Sequence, residues 1–270
     1  MAMRVRVGCE FVHTLASPAH AVLQVEPRPD GDFSLLGETW HADPAAPWTR
    51  YVDSFGNVCR RTDLPAGQST LRFDALIELE GGPDPVVLDA REHLAAELPP
   101  ETLLFTLPSR FCPSDQLAAT AWDLFGGVAP GWSRVQAICD WVHGELTFGY
   151  GSSTPTTTAA DVFDARKGVC RDFAHLGVTF CRALSIPARY AFGYLPDIDV
   201  PEPHDPMDFC AWMEVFLGGQ WWTFDPRNNT PRRGRVLIGR GRDALDVAMV
   251  TTFGAAPLDS MLVWADQVMA

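Results

Sequence analysis

Lysine is almost missing from this chain: Lys167 is the only one in 270 residues, and nearly every basic side chain is arginine. Positive charge of either kind is scarce, with 21 Lys and Arg against 34 Asp and Glu and a formal charge of −13. That balance opposes unguided binding of nucleic acid and attraction to anionic membranes, both of which need clustered cations. It suits basic partners better. No apolar run of signal-peptide length comes before Glu10, and no later stretch approaches a membrane span. The seven cysteines are widely spread and contain no C-x-x-C pair, so no zinc or redox motif is present. His13, His20, His41 and His93 show no ligand spacing. The expectation is a reduced, cytoplasmic protein that holds neither metal nor cofactor.

Apolar residues make up 47% of the chain, enough to furnish cores for two modest domains or one large one. Residues 1–110 read as β structure. Arg4-Val5-Arg6-Val7 alternates, Ala21 to Val25 is a short apolar run, and Leu71, Phe73, Ala75, Ile77 and Leu79 fall on one strand face. Asp30-Gly31-Asp32 and Phe55-Gly56-Asn57 supply turn chemistry. Strands at short intervals without helical periodicity predict a small sandwich or open barrel. Residues 98–113 are rich in proline and read as a linker.

Beyond it the period changes. Ser114 is placed to cap a helix carrying Leu117, Ala121 and Leu124, and Ser133-x-x-Gln136 has the form of a capping box for the next. Residues 149–158 form a Gly-, Ser-, Thr- and Pro-rich loop. Thr158-x-x-Asp161 then caps a short helix that Gly168 terminates. Val169 leads into Cys170, after which Phe173, Leu176, Phe180 and Leu184 recur at helical steps, so Cys170 opens a helix. The unpaired N–H groups and positive dipole end there favour a thiolate and could bind a developing oxyanion.

Residues 187–194 read as a strand, and a long Pro- and Asp-rich loop carrying His204 follows. Two further strands are joined by Gly218-Gly219, a strong hairpin signal. If those glycines are the loop, Leu217 faces Gln220 and the register sets Trp212 opposite Asp225. Cys210, Trp212 and Asp225 then share one face.

Gly168-Val169-Cys170-Arg171-Asp172-Phe173-Ala174, Arg189-Tyr190-x-x-Gly193-Tyr194, Ala211-Trp212-x-Glu214-Val215 and Trp221-x-x-Phe224-Asp225-Pro226 together resemble the transglutaminase-like, papain-fold cysteine enzymes. The resemblance spans most of residues 130–230 in order and spacing. The strands before it resemble the β-rich N-terminal domain of bacterial members, Asp53-x-Phe55-Gly56-Asn57 being the clearest motif. It implies an α+β protein, with a sandwich-like domain over 1–110 and a transglutaminase-like domain over 111–270 to which the tail adds sheet or packing.

The resemblance further implies a thiol enzyme acting on the amide of a peptide, protein or small molecule through a Cys170 thioester, as a protease or amidase rather than a cross-linker. With one lysine, the chain would be a poor amine donor to itself. The family pattern has histidine before Ala-Trp. Here Cys210 stands in that place, so the triad reads Cys170, Cys210 and Asp225. His204 is the one nearby histidine that could substitute. Tyr150 and residues 152–156 are substrate contacts by resemblance, with Trp212 beside Cys210. Arg232, Arg233, Arg235, Arg240 and Arg242 read by default as solvated surface.

Three functions follow: an acyl-transfer enzyme, a binding module that has lost catalysis, and a Cys170/Cys210 dithiol or metal site. Oligomeric state is not legible. Among the seven cysteines, Cys170 is expected to be the most reactive.

Overall fold

The computed structural model describes residues 2–201 and 205–268. Six strands form the N-terminal half: β1 (Ala2–Leu15), β2 (Ala19–Leu23), β3 (Phe33–Asp43), β4 (Thr49–Val52), β5 (Val58–Leu64) and β6 (Gly67–Glu80). After short helical turns that include α1 (Pro100–Leu103) come α2 (Ala118–Phe125), α3 (Trp132–Glu145), β7 (Thr147–Phe148), α4 (Ala159–Ala165), β8 (Lys167–Gly168) and α5 (Cys170–Ala183). The chain then runs through β9 (Ala188–Tyr194), β10 (Cys210–Leu217), β11 (Gln220–Phe224), β12 (Val236–Gly241), β13 (Val250–Phe253) and β14 (Leu258–Val268). No described helix is long and apolar enough to cross a membrane.

Three four-stranded antiparallel sheets result, ordered β14-β1-β6-β3, β13-β2-β5-β4 and β11-β10-β9-β12. The first two face each other as the expected sandwich. Alternate residues Val5, Val7, Cys9 and Phe11 of β1 and Leu71, Phe73, Ala75 and Ile77 of β6 are buried against Ala21, Leu23 and Leu64 of the second sheet. Tyr190, Phe192 and Tyr194 of β9 and Val236 of β12 join the same core. The third sheet is therefore packed onto the sandwich rather than tethered beside it. Its helical side buries Met213, Val215, Leu217 and Phe224 against α2, α3, α4 and α5.

The Asp53-to-Asn57 motif fastens the halves. Asp53 Oδ1 accepts the N–H groups of Phe55 and Asn57, both at 2.8 Å. The fully buried Asn57 side chain then brackets the backbone of Arg240, donating to its carbonyl at 2.9 Å and accepting its N–H at 2.8 Å.

Several sequence expectations are corrected. The tail divides: β12 pairs with β9 and extends the catalytic sheet as expected, whereas β13 pairs with β2 and β14 with β1, so the last two strands of the expected 111–270 domain lie in the N-terminal sheets. The long strand β1 has a hydrogen-bonding edge beyond β6, and β14 covers it. Helix α2 begins at Ala118, four residues past Ser114, which is itself buried. Helix α3 starts at Trp132 behind Gly131, with no side-chain cap, and Gln136 bonds Asp140 and Asn229 instead. The box at Thr158 and Asp161 does form, but α4 ends at Ala165 with Arg166 left-handed rather than at Gly168. The hairpin matches its expected register, Leu217 opposite Gln220 and Met213 opposite Phe224, with Gly218 and Gly219 at φ 61° and 89°.

Candidate functional site

The start of α5 is built by local backbone chemistry. Val169 precedes the helix in extended conformation, and the buried Asp172 carboxylate reaches back to accept the Val169 N–H at 2.8 Å. Arg171 grips the same carboxylate at 3.0 Å and the Thr154 carbonyl at 2.9 Å, which ties the loop after β7 to the helix start. The parallel pairing of β7 with β8 brings Phe148 beside Gly168. A Cβ on Gly168 would lie 2.6 Å from the Asp172 Cβ, so only glycine lets this cap close. Gly168→Ala should cost about 1–3 kcal/mol, measured by guanidinium denaturation, and should blunt Cys170 alkylation as the helix start shifts.

Cys170 is the first residue of α5 and the only one of the seven free cysteines that is not fully buried. Its sulfur contacts the backbone on both sides of Cys210: it donates to the Phe209 carbonyl at 3.7 Å and accepts the Ala211 N–H. It opens on a cleft of about 560 Å³. Phe148, Tyr150 and Pro155 line the cleft on one side, Met207 to Ala211 on another, and Arg171, Arg227 and Arg232 supply its cations. The helix end expected to favour a thiolate is opposed by burial. Burial pushes the Cys170 thiol up from 9.0 to about 11, Asp208 pushes the same way, and the Ala211 N–H and Arg227 only partly offset them.

Cys210 begins β10 opposite Gly193 and is 6% exposed. It lines the same cleft, and burial raises its thiol far above the ordinary range, with the charges of Asp225 and Cys170 adding to the rise. Its side chain joins Trp212, Ala191, Leu195 and Leu237 in a small apolar cluster. Arg235 stacks over the Trp212 ring at 4.9 Å and donates to Asp225 Oδ2 at 2.7 Å. Asp225 is thus on the expected side of the sheet, but among the described residues neither a histidine nor Cys210 is its partner. Asn228 supplies two more donors, its backbone N–H at 2.9 Å and its side-chain amide at 2.7 Å. Burial favours the neutral acid, yet Arg235 and Asn228 overcome it and hold the Asp225 carboxyl below its ordinary value.

The other expected site residues fare unequally. Tyr150 lies at the cleft mouth, 53% exposed. Trp212 is 1% exposed and does not line the cleft, so its expected place as a substrate contact is corrected: it is packing beneath Arg235. His204 lies outside the described residues. No histidine among the described residues lines the cleft. His175, one turn beyond Cys170, is fully buried between Phe111 and Tyr190, and its Nε2 accepts the Ala244 N–H at 3.1 Å. Burial lowers its pKa to about 3, so it is neutral at physiological pH.

Of the tail arginines, Arg232, Arg235 and Arg240 are largely buried rather than solvated surface, while Arg233 and Arg242 stay at the surface as expected, though all five are paired. Arg232 pairs with Asp197, Arg233 with Asp199, Arg235 with Asp84 and Asp225, Arg240 with Glu214, and Arg242 with Asp246. Sequence reasoning missed Arg235 and Asn228 as partners of Asp225, and Arg227 and Asp208 as neighbours of Cys170. Arg227 and Asn228 directly follow the Asp225-Pro226 motif, but only the folded turn after β11 shows where they point.

Residues 118–226 match the family model described as the transglutaminase-like superfamily. A crystal structure from Cytophaga hutchinsonii, described as a "putative cysteine protease", superposes with a TM-score of 0.91 at 30% identity, covering 100% of this chain and 92% of that one. An uncharacterized protein of Mycobacterium leprae is 27% identical over 91% of each chain. An uncharacterized protein of Mycobacterium tuberculosis is 36% identical over 39% of this chain and 37% of its own. Matching fold, domain and nearly full length together, the chain belongs to the transglutaminase-like superfamily.

Proposed function

We propose that the cleft is an acyl-transfer site in which Cys170 is the nucleophile and a peptide or small amide is the acyl donor, with hydrolysis the usual outcome. The observation that carries this reading is the position of Cys170: the first turn of a helix, the one cysteine open to solvent, facing a cleft of about 560 Å³. In the reaction the sulfur bonds to the carbonyl carbon, the C–N bond breaks, and the thiol proton leaves with the amine. Water then cleaves the thioester and returns the thiol. The main-chain N–H of Ala211, already directed at the sulfur, is the available donor for negative charge developing there. Asp225 supports the neighbouring wall through Arg235; the family pattern sets its base at position 210, where this chain has Cys210, and His204 is the nearby histidine in sequence that would substitute.

A second reading, a binding module with a chemically quiet thiol, draws on the absence of an imidazole from the cleft lining among the described residues and on the capture of Asp225 by Arg235.

The test compares the chain with Cys170→Ala on an activated thioester or p-nitrophenyl ester, read by intact mass. A mass increase of one acyl group, lost in the variant, is expected. Iodoacetamide should label Cys170 ahead of Cys9, Cys59, Cys112, Cys139, Cys181 and Cys210, which are all buried. The labelling rate should keep climbing above pH 9 toward about 11, because the folded thiol titrates there. Preferential labelling of another cysteine, or no acyl adduct, would hand the cleft to the second reading.

A further inference from the structure

The cleft holds three arginines, and two are tied to carboxylates of the chain. Arg171 grips Asp172 at 3.0 Å, and Arg232 grips Asp197 at 3.2 Å. The third, Arg227, has no carboxylate within ion-pair distance among the described residues, in a chain where acidic groups outnumber basic ones by 34 to 21.

Its position is fixed without such a partner. The Arg227 carbonyl accepts from His143 Nδ1 at 2.8 Å, which anchors the turn after β11. The guanidinium carbon lies 4.2 Å from the centroid of the Phe148 ring. Stacking on an aromatic face leaves the edge of the guanidinium, with its N–H donors, available to a ligand. Cys170, Tyr150 and Arg227 line the same space. Burial raises the pKa of both Cys170 and Asp208, and the charge of Arg227 is close enough to offset part of each rise.

Building on the reading of Cys170 as nucleophile, we propose that Arg227 selects acyl donors bearing a carboxylate near the scissile amide, such as a chain-terminal residue or an acidic side chain. A planar fork of N–H donors matches a carboxylate in two-point contact. A cleft of about 560 Å³ accommodates a ligand of a few residues. Phe148, Phe192, Met207 and Phe209 line it for the apolar part of such a donor. Asp205 and Asp208 line the cleft as well, so anion selection is local to the Arg227 side rather than a property of the whole cavity.

The test uses Cys170 as its own reporter. Alkylation rates at this residue are measured by peptide mass spectrometry with iodoacetate, iodoacetamide and 2-bromoethylamine, on the full chain and on Arg227→Gln and Arg227→Lys. The iodoacetate-to-iodoacetamide ratio should fall about fivefold or more in Arg227→Gln, and by less in Arg227→Lys, which keeps the charge but not the fork. Adding about 0.5 M salt to the unaltered chain should lower the same ratio, since screening weakens partly exposed pairs. This arm needs no variant to fold. A ratio unchanged in Arg227→Gln and insensitive to salt overturns the assignment, as does faster reaction of the cationic reagent through Asp205 and Asp208. If none of the reagents modifies Cys170, the nucleophile reading fails and the assignment fails with it. If Cys170 is modified without dependence on Arg227, only the assignment fails.

Discussion

Cys210→His is expected to raise Cys170-dependent turnover of a small amide or ester by roughly 10²–10⁴-fold, the range that positioned acid–base catalysis contributes. Cys210 is at the first position of β10 and lines the cleft with Cys170, whose sulfur touches the backbone on either side of it. An imidazole there stands within reach of both the thiol and the Asp225 side of the sheet. Two changes should accompany the gain. Converting the neighbour from a thiol to a group that can carry positive charge stabilises the thiolate, so the Cys170 pKa should drop below about 11 and alkylation at neutral pH should accelerate.

Arg235 works the other way. It already occupies Asp225 Oδ2 and places a permanent cation beside position 210, which disfavours imidazolium and should keep the gain toward the lower end of the range. The substituted ring is larger than a thiol and the site is 6% exposed, so about 1–3 kcal/mol of stability is expected to be lost. Thermal melting establishes folding, and turnover with and without Cys170→Ala establishes the source of activity. A folded variant no faster than the parent would show that the site has diverged beyond one residue, and the binding reading would then lead.

Arg235→Met should be the more damaging change to the fold. Arg235 is buried and bridges Asp225 at 2.7 Å and Asp84 at 2.9 Å, so removing it takes the shared cation from two carboxylates at once and leaves them only neutral donors. Breaking a buried pair by deleting one partner costs roughly 3–5 kcal/mol, because the remaining charge is left without compensation. Asp225→Asn should cost less, since Arg235 retains Asp84, and it should also alter Cys170 labelling by loosening the wall behind Cys210. The Asp225 carboxyl titrates below its unfolded value of 3.8 in the folded chain. Its ionised form therefore contributes stability above pH 4, and that contribution is lost as pH falls through the lower folded value. Guanidinium midpoints at pH 7 and near pH 3 should show the gap between the parent and Asp225→Asn narrowing in acid. Equal stability of Arg235→Met and the parent at pH 7 would remove the ion-pair account of this wall.

The parts of the site legible in the sequence are those whose causes are local. The step from Gly168-Val169 into the period of Phe173, Leu176, Phe180 and Leu184 encodes the helix start that presents Cys170, whereas the Asp172 cap that fastens it is seen only in the fold. Gly218 and Gly219 encode the hairpin register, because a two-residue loop leaves one alignment, and that register carries Asp225 to the same side as Cys210. The departure at position 210 was equally plain, since an ordered set of motifs exposes a single exchanged residue.

Quantities that depend on distant neighbours were decided by tertiary structure alone. The balance between helix end and burial at Cys170 depends on how much apolar surface approaches it from β9, β10 and the 244–250 segment, and that approach pushes the thiol up. Arg232, Arg235 and Arg240 read as surface because sequence shows the number of arginines but not the carboxylates waiting at Asp197, Asp84, Asp225 and Glu214. The tail itself looked like an extension of the catalytic sheet. That held for β12, which pairs with β9, but strand pairing is chosen by which edge is open in space, and β13 and β14 found the open edges of β2 and β1 near the start of the chain. The sequence thus determined the scaffold and the exchanged residue at 210, while long-range packing decided the surroundings of the Cys170 thiol, the Arg235 partner of Asp225 and the lack of an ion-pair partner for Arg227 among the described residues.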